Sequence, residues 1–217
     1  MIHITRSNFD WIYLIKTYKK YVTRESVVLE IGASNIDRTK ELSEYCNKII
    51  GVEYFKERLP ENFLNVEYIH GDWQNLSDFI ESESIDIVVA SHVIEHIPDD
   101  LKAINELYTI LKPGGVSILN TPNKKRLTRS IIEFFTEERK FPHWEHVREY
   151  TENDLIILLN RSKFNQYKIS PLVIGLHGGP IHIYWDQVPL KLKRYANYWQ
   201  INLYKCGQND KQLIKNS

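Results

Sequence analysis

The sequence predicts an open α/β sheet, mostly parallel, and three observations predict it. Apolar, β-branched runs alternate with helical stretches between residues 26 and 121. Three of those runs end at or just before an acidic residue, namely Glu30, Glu53 and Asp72. Small residues break the chain beside these acids, as in Gly32-Ala33-Ser34 and at Gly71. An open sheet presents polar groups to a ligand at the carboxyl ends of its strands, and this pattern supplies them there.

The elements follow in order. Ile12, Ile15, Tyr18 and Val22 recur at helical spacing, which predicts an amphipathic helix over 8–22. Strands are expected at about 26–31, 48–53, 66–70, 85–90 and 115–121. Helices are expected between them at 36–46, 55–62, 75–81 and 99–111. The last carries one apolar stripe, Leu101, Ile104, Leu107 and Leu111, behind an N-cap at Asp99. Lys112-Pro113-Gly114-Gly115 stops it. Strand–helix alternation of these lengths implies parallel strands joined by right-handed crossovers.

After Pro122 the pattern changes. Residues 125–139 read as a helix, followed by a histidine-rich turn, Phe141-Pro142-His143-Trp144-Glu145-His146. A helix over 151–161 opens with Thr151 and Asp154 in capping-box arrangement. Short strands are expected at 166–170 and 198–205, with a loop from Gly175 to Pro180 between them. No repeat or low-complexity segment is visible, so residues 1–217 are read as one domain.

The bulk numbers narrow the function classes. The chain has 217 residues and 28 basic against 28 acidic side chains, so no net field draws it to nucleic acid or anionic lipid. Its two cysteines, Cys46 and Cys206, form neither a disulfide framework nor a zinc-ligand spacing. The first residues lack a signal-peptide core and no apolar run approaches membrane-spanning length. A cytoplasmic protein is expected, with no membrane or nucleic-acid partner; a homodimer is left open.

Several motifs, taken in sequence, carry the chemistry. Glu30-Ile31-Gly32-Ala33-Ser34 follows the first strand, Glu53 ends the second and Gly71-Asp72 follows the third. Asp86-Ile87-Val88-Val89-Ala90-Ser91 forms the fourth, and Leu111 to Gly115 turns into the fifth. His146-Val147-Arg148-Glu149-Tyr150-Thr151 comes later. Over roughly residues 26–170 this order resembles the class I S-adenosylmethionine-dependent methyltransferases, in particular their small-molecule subgroup of types 11 and 23. The resemblance implies a Rossmann-like open sheet with an antiparallel C-terminal strand and helices on both faces. It implies S-adenosylmethionine as cofactor, with S-adenosylhomocysteine as product, and a lid over about 123–150.

The residues fit that cofactor. Glu30 stands where an acceptor meets the ammonium, and Gly32, lacking a Cβ, lets the backbone approach closely. Glu53 suits the ribose diol, Asp72 the adenine amino group and Trp73 the face of the ring. Ala33, Ser34, Tyr54, Gly71, Ser91, His92 and Val93 complete the expected cofactor set. The family's second and third glycines fall here on Ser34, which keeps the turn tight, and Ile36, which begins the next helix. A dinucleotide-binding loop would put Asp37 near a pyrophosphate and is disfavoured.

His146 and His96 are the expected bases, since imidazole titrates near neutral pH. His143 and Tyr150 are expected to line the acceptor pocket. The acceptor is expected to be a small molecule methylated on oxygen: a sugar, a nucleotide-linked precursor of a polysaccharide, or a quinone-like precursor. Two alternatives stand beside this. One is a partner subunit that keeps the sheet and lacks catalysis. The other is a zinc hydrolase using His92, Glu95 and His96, which requires a continuous helix through those residues.

Overall fold

The computed structural model describes residues 2–5, 9–135, 145–177 and 182–207. Its main sheet is built from β2 (Val27–Ile31), β3 (Lys48–Glu53), β4 (Val66–His70), β5 (Ile85–Ser91), β6 (Leu111–Pro122), β7 (Gln166–Leu172) and β10 (Tyr198–Tyr204). They lie in the order β4-β3-β2-β5-β6-β10-β7. All neighbours are parallel except β10, which runs antiparallel to both β6 and β7. The fold is therefore the mostly parallel, Rossmann-like sheet that the sequence implies.

Period-two alternation sorts each central strand onto two faces. Val28, Ile87, Val89 and Ile118 pack with α1 (Phe9–Tyr18) and α2 (Ile36–Ser43). Their neighbours Leu29, Val88, Ala90 and Leu119 pack with α3 (Asp100–Ile110) and α5 (Glu152–Arg161). Caps set the helix starts: Asn35 accepts from Arg38 N, Asp99 from Lys102 N, and Thr151 and Asp154 close the capping box. At the far end of the sheet, Asp86 Oδ2 accepts from both Val27 N and Lys112 Nζ at 2.8 Å, which aligns the starts of three strands.

Several expectations need correction. The N-terminal helix ends at Tyr18, not residue 22. The segments 55–62 and 75–81 form only 3-10 turns, Lys56–Arg58 and Trp73–Asp78. Proline at position 60 and the kink at Asn75 (φ −138°) leave no room for an α-helix in either. β6 begins at Leu111 and its pairing with β5 shifts register between Ile85 and Ile87, absorbing the Pro-Gly-Gly turn. The helix expected over 125–139 is α4, Leu127–Phe135, with the rest of that range outside the described residues.

A second sheet was not foreseen. β1 (Ile2–Thr5), β8 (Ile174–His177) and β9 (His182–Trp185) pair in the order β1-β9-β8, all antiparallel. The stretch from Gly175, expected to be a loop, thus begins as a strand, and Gly175 is required there because a Cβ would lie 2.2 Å from Ile183 O.

Candidate active site

Strand order reverses between β2 and β5: the chain builds outward through β3 and β4 on one side and through β6 on the other. Open α/β sheets bind ligands at such a switch point, beyond the carboxyl ends of the strands. A cavity of about 870 Å³ lies there. Of the residues expected to hold cofactor, Glu30, Gly32, Ser34, Glu53, Tyr54, Gly71, Asp72, Trp73, Ser91, His92 and Val93 all line it.

Glu30 ends β2 and is buried, and its Oε2 has no hydrogen-bond partner within the protein. Burial pushes its carboxyl up to about 7, against the opposing pull of the Thr39 hydroxyl and the Arg38 guanidinium. A buried acceptor left open on a cavity wall suits a cationic ligand group. Gly32 follows at φ +76°, and a Cβ there would sit 2.7 Å from Val93 Cγ2. Both the backbone angle and the space therefore demand glycine.

Glu53 is buried at the end of β3, its Oε1 accepting from Phe55 N at 3.1 Å. Asp72 caps the following turn, accepting from Gln74 N at 2.9 Å. Trp73 is 2 % exposed and donates its indole N–H to Ala103 O, so the ring sits largely in the core behind the cavity. Ala33 does not reach the cavity: its side chain is fully buried beside α1 and α2, and its N–H bonds Val52 O.

His92 leaves β5 at φ +58° and carries a network the sequence did not reveal. Its Nε2 lies 2.9 Å from Asp10 Oδ2 and its Nδ1 lies 3.3 Å from Glu95 Oε1. Desolvation disfavours the charged ring, but these two buried carboxylates prevail and hold the imidazole up at about 10. Asp10 comes from α1, as does Trp11, which lines the cavity with Arg38 stacked on it at 4.8 Å. An acid in a first helical turn reads from sequence as an ordinary dipole partner, so nothing singled out Asp10.

Both ring nitrogens of His92 are thus committed, and Ile94–His96 is a 3-10 turn, so the helical arrangement a zinc hydrolase would need is not formed. His96 lines the cavity, while its Nδ1 pairs with Glu145 O at 2.9 Å. His146 stands behind it, ring centroids 4.8 Å apart, with Nδ1 3.2 Å from Glu149 Oε1. Glu149 is buried between Arg126, which grips it through two nitrogens at 3.1 Å, and Arg129 at 2.7 Å. Burial opposes its charge, but His146 and the two guanidiniums hold the carboxyl down at about 2. Glu149 stands one helical turn from His146 in sequence, the only signal that could have found it.

Tyr150 requires correction. It is 2 % exposed, donates to Asp100 Oδ2 at 3.0 Å, packs in the core and is not among the residues that line the cavity. His143 lies outside the described residues.

Residues 29–119 match the family model for a methyltransferase domain. Over that stretch the chain is similar to the class I S-adenosylmethionine-dependent methyltransferases. A probable S-adenosylmethionine-dependent methyltransferase of Mycolicibacterium smegmatis is 29 % identical over 141 residues, covering 63 % of this chain and 51 % of the relative. Demethylmenaquinone methyltransferase of Staphylococcus saprophyticus is 29 % identical over 118 residues, covering 48 % and 50 %. The YcgJ protein of Bacillus subtilis shares the fold, with a TM-score of 0.66, 17 % identity and coverage of 92 % and 99 %. The chain spans about half the length of these two curated relatives. No helix among the described residues is long and apolar enough to cross a membrane.

Proposed function

We propose that the protein transfers the methyl group of S-adenosylmethionine to an oxygen of a small-molecule acceptor. The observation that carries the reading is the cavity at the strand-order switch, walled by Glu30, Gly32, Glu53 and Asp72. When bound, the cofactor supplies an electrophilic methyl on a sulfonium. Glu30 would take its ammonium through the open Oε2, and Glu53 its ribose hydroxyls. Asp72 would meet the adenine amino group, and Gly32 gives the backbone a close approach. What remains for the protein is alignment and removal of the acceptor's proton, and alignment alone lowers such barriers by several kcal/mol.

His96 is our candidate to meet an acceptor, a role supported by its position on the cavity wall and by His146 stacked behind it. If the Nδ1 of His96 donates to Glu145 O, Nε2 is the basic nitrogen. A positioned base of this kind contributes roughly 10²–10⁴-fold. The acceptor classes we propose to screen are hydroxylated sugars, nucleotide-linked precursors and quinone-like compounds. The name of a ubiquinone biosynthesis O-methyltransferase of Ruegeria pomeroyi, 25 % identical over 146 residues, supports the last of these.

Calorimetric titration with S-adenosylhomocysteine tests the cofactor half of the reading. Micromolar binding that Glu53→Ala weakens at least tenfold is expected. Absence of binding, with no shift in melting temperature, would instead favour a non-catalytic partner subunit. His146→Ala is expected to lose turnover with a screened acceptor while still binding S-adenosylhomocysteine.

A further inference from the structure

One side-chain cluster is not accounted for by cofactor binding or by packing. Glu95, His96 and His146 each bring a ligand atom within 4.8 Å of the other two. They come from two segments held together by the backbone, since Val147 N and Arg148 N both donate to Glu95 O, at 2.9 and 3.2 Å. Each ring is oriented through Nδ1, His96 by Glu145 O and His146 by Glu149 Oε1. Metal-ligating histidines carry this outer arrangement: an acceptor on one nitrogen fixes the tautomer and turns the other toward the ion. Glu149 is itself fixed by Arg126 and Arg129.

Glu95 adds a second observation. It is fully buried, and its Oε2 accepts from Thr121 Oγ1 at 3.0 Å. Its Oε1 has no aligned hydrogen bond, only the 3.3 Å ion-pair contact with His92 Nδ1. A buried carboxylate oxygen beside two oriented imidazoles is a donor set for a cation.

We propose that Glu95, His96 and His146 bind one divalent transition-metal ion at the cavity wall, leaving a coordination position open to the methyl acceptor. Two imidazoles and a carboxylate suit zinc and its neighbours better than magnesium or calcium, which take oxygen ligands. Zinc–nitrogen bonds are about 2.0–2.1 Å, so the three side chains draw together as the ion enters. The inference rests on the methyltransferase reading and replaces the direct-base role given there to His96. An acceptor hydroxyl at the open position becomes more acidic and gives its proton to water, and His96 and His146 then serve as ligands rather than as proton acceptors.

The test is calorimetric titration of chelator-stripped protein with zinc chloride alone, repeated with cobalt chloride while recording the visible spectrum. Binding of S-adenosylhomocysteine to the wild type is measured alongside. One ion per chain is expected, with micromolar or tighter affinity. His96→Ala and His146→Ala should each weaken it at least tenfold and remove the cobalt band. Melting temperatures report folding, and His96→Gln substitutes should His96→Ala fail to fold. No stoichiometric ion, or binding that neither histidine variant alters, overturns the metal site and leaves the histidines as direct bases. Zinc bound as expected without S-adenosylhomocysteine binding supports the metal site and overturns the cofactor reading instead.

Discussion

Asp10 Oδ2 lies 2.9 Å from His92 Nε2, and this contact ties helix α1 to the residue that leaves β5 at the cavity. Asp10 is buried and His92 partly so, and Glu95 stands on the other side of the imidazole. The pair therefore joins an element outside the matched domain, residues 29–119, to the wall of the site inside it.

Replacing Asp10 with Asn leaves His92 facing one carboxylate instead of two. Removing one member of a buried pair costs about 3 kcal/mol, so Asp10→Asn should lower the melting temperature markedly near pH 7. The His92 imidazole is held at about 10, above its ordinary 6.5. Its stabilisation is thus fully present below the unfolded-state value and is lost as pH rises through about 10. The gap between wild type and Asp10→Asn in thermal melts should narrow in that range; a gap independent of pH would refute the ionic account.

Glu30 has the opposite effect on stability. Its carboxyl is raised from 4.5 to about 7 by burial. The folded protein therefore holds that proton more tightly than the unfolded chain, and stability falls as pH rises from about 4.5 to about 7. The rise corresponds to about 3 kcal/mol at pH 8. Glu30→Gln should raise the melting temperature of the ligand-free protein at pH 8, change it little at pH 4.5, and weaken S-adenosylhomocysteine binding. Paired melts and calorimetry at the two pH values check all three.

Gly32→Ala should destabilise by about 2 kcal/mol, roughly half from the left-handed backbone angle and half from the contact with Val93. Adding Val93→Ala should recover only the steric half. A double-mutant cycle by urea unfolding separates the two.

Tyr150→Phe removes the bond to Asp100 without touching the cavity. A loss of about 1 kcal/mol in stability is expected, with KM for any acceptor unchanged. A raised KM would return Tyr150 to the pocket.

The strands and the cavity acids were legible because burial on two faces leaves continuous apolar runs, and because Glu30, Glu53 and Asp72 interrupt them at one end. The direction a side chain takes beyond a strand was not legible. Tyr150 follows His146 by a helical turn in sequence, yet the segment there is not helical and turns the ring into the core. Asp10 and Glu149 escaped notice for the same reason: their importance comes from His92 and from Arg126 and Arg129, which the fold brings to them. Short strands such as Ile2–Thr5 were hidden because a four-residue run carries too few positions to show a period.

The pairing of β1 with β9 bears on the order in which the chain acquires its shape during synthesis. Ile2 lies opposite Trp185, so β1 does not meet this partner until more than 180 further residues have been translated. At about 5–20 residues per second, that is a wait of roughly ten to forty seconds. Meanwhile β2 to β6 and the helices among them can already assemble from local crossovers. The small sheet is thus a late closure, joining early and late translation products.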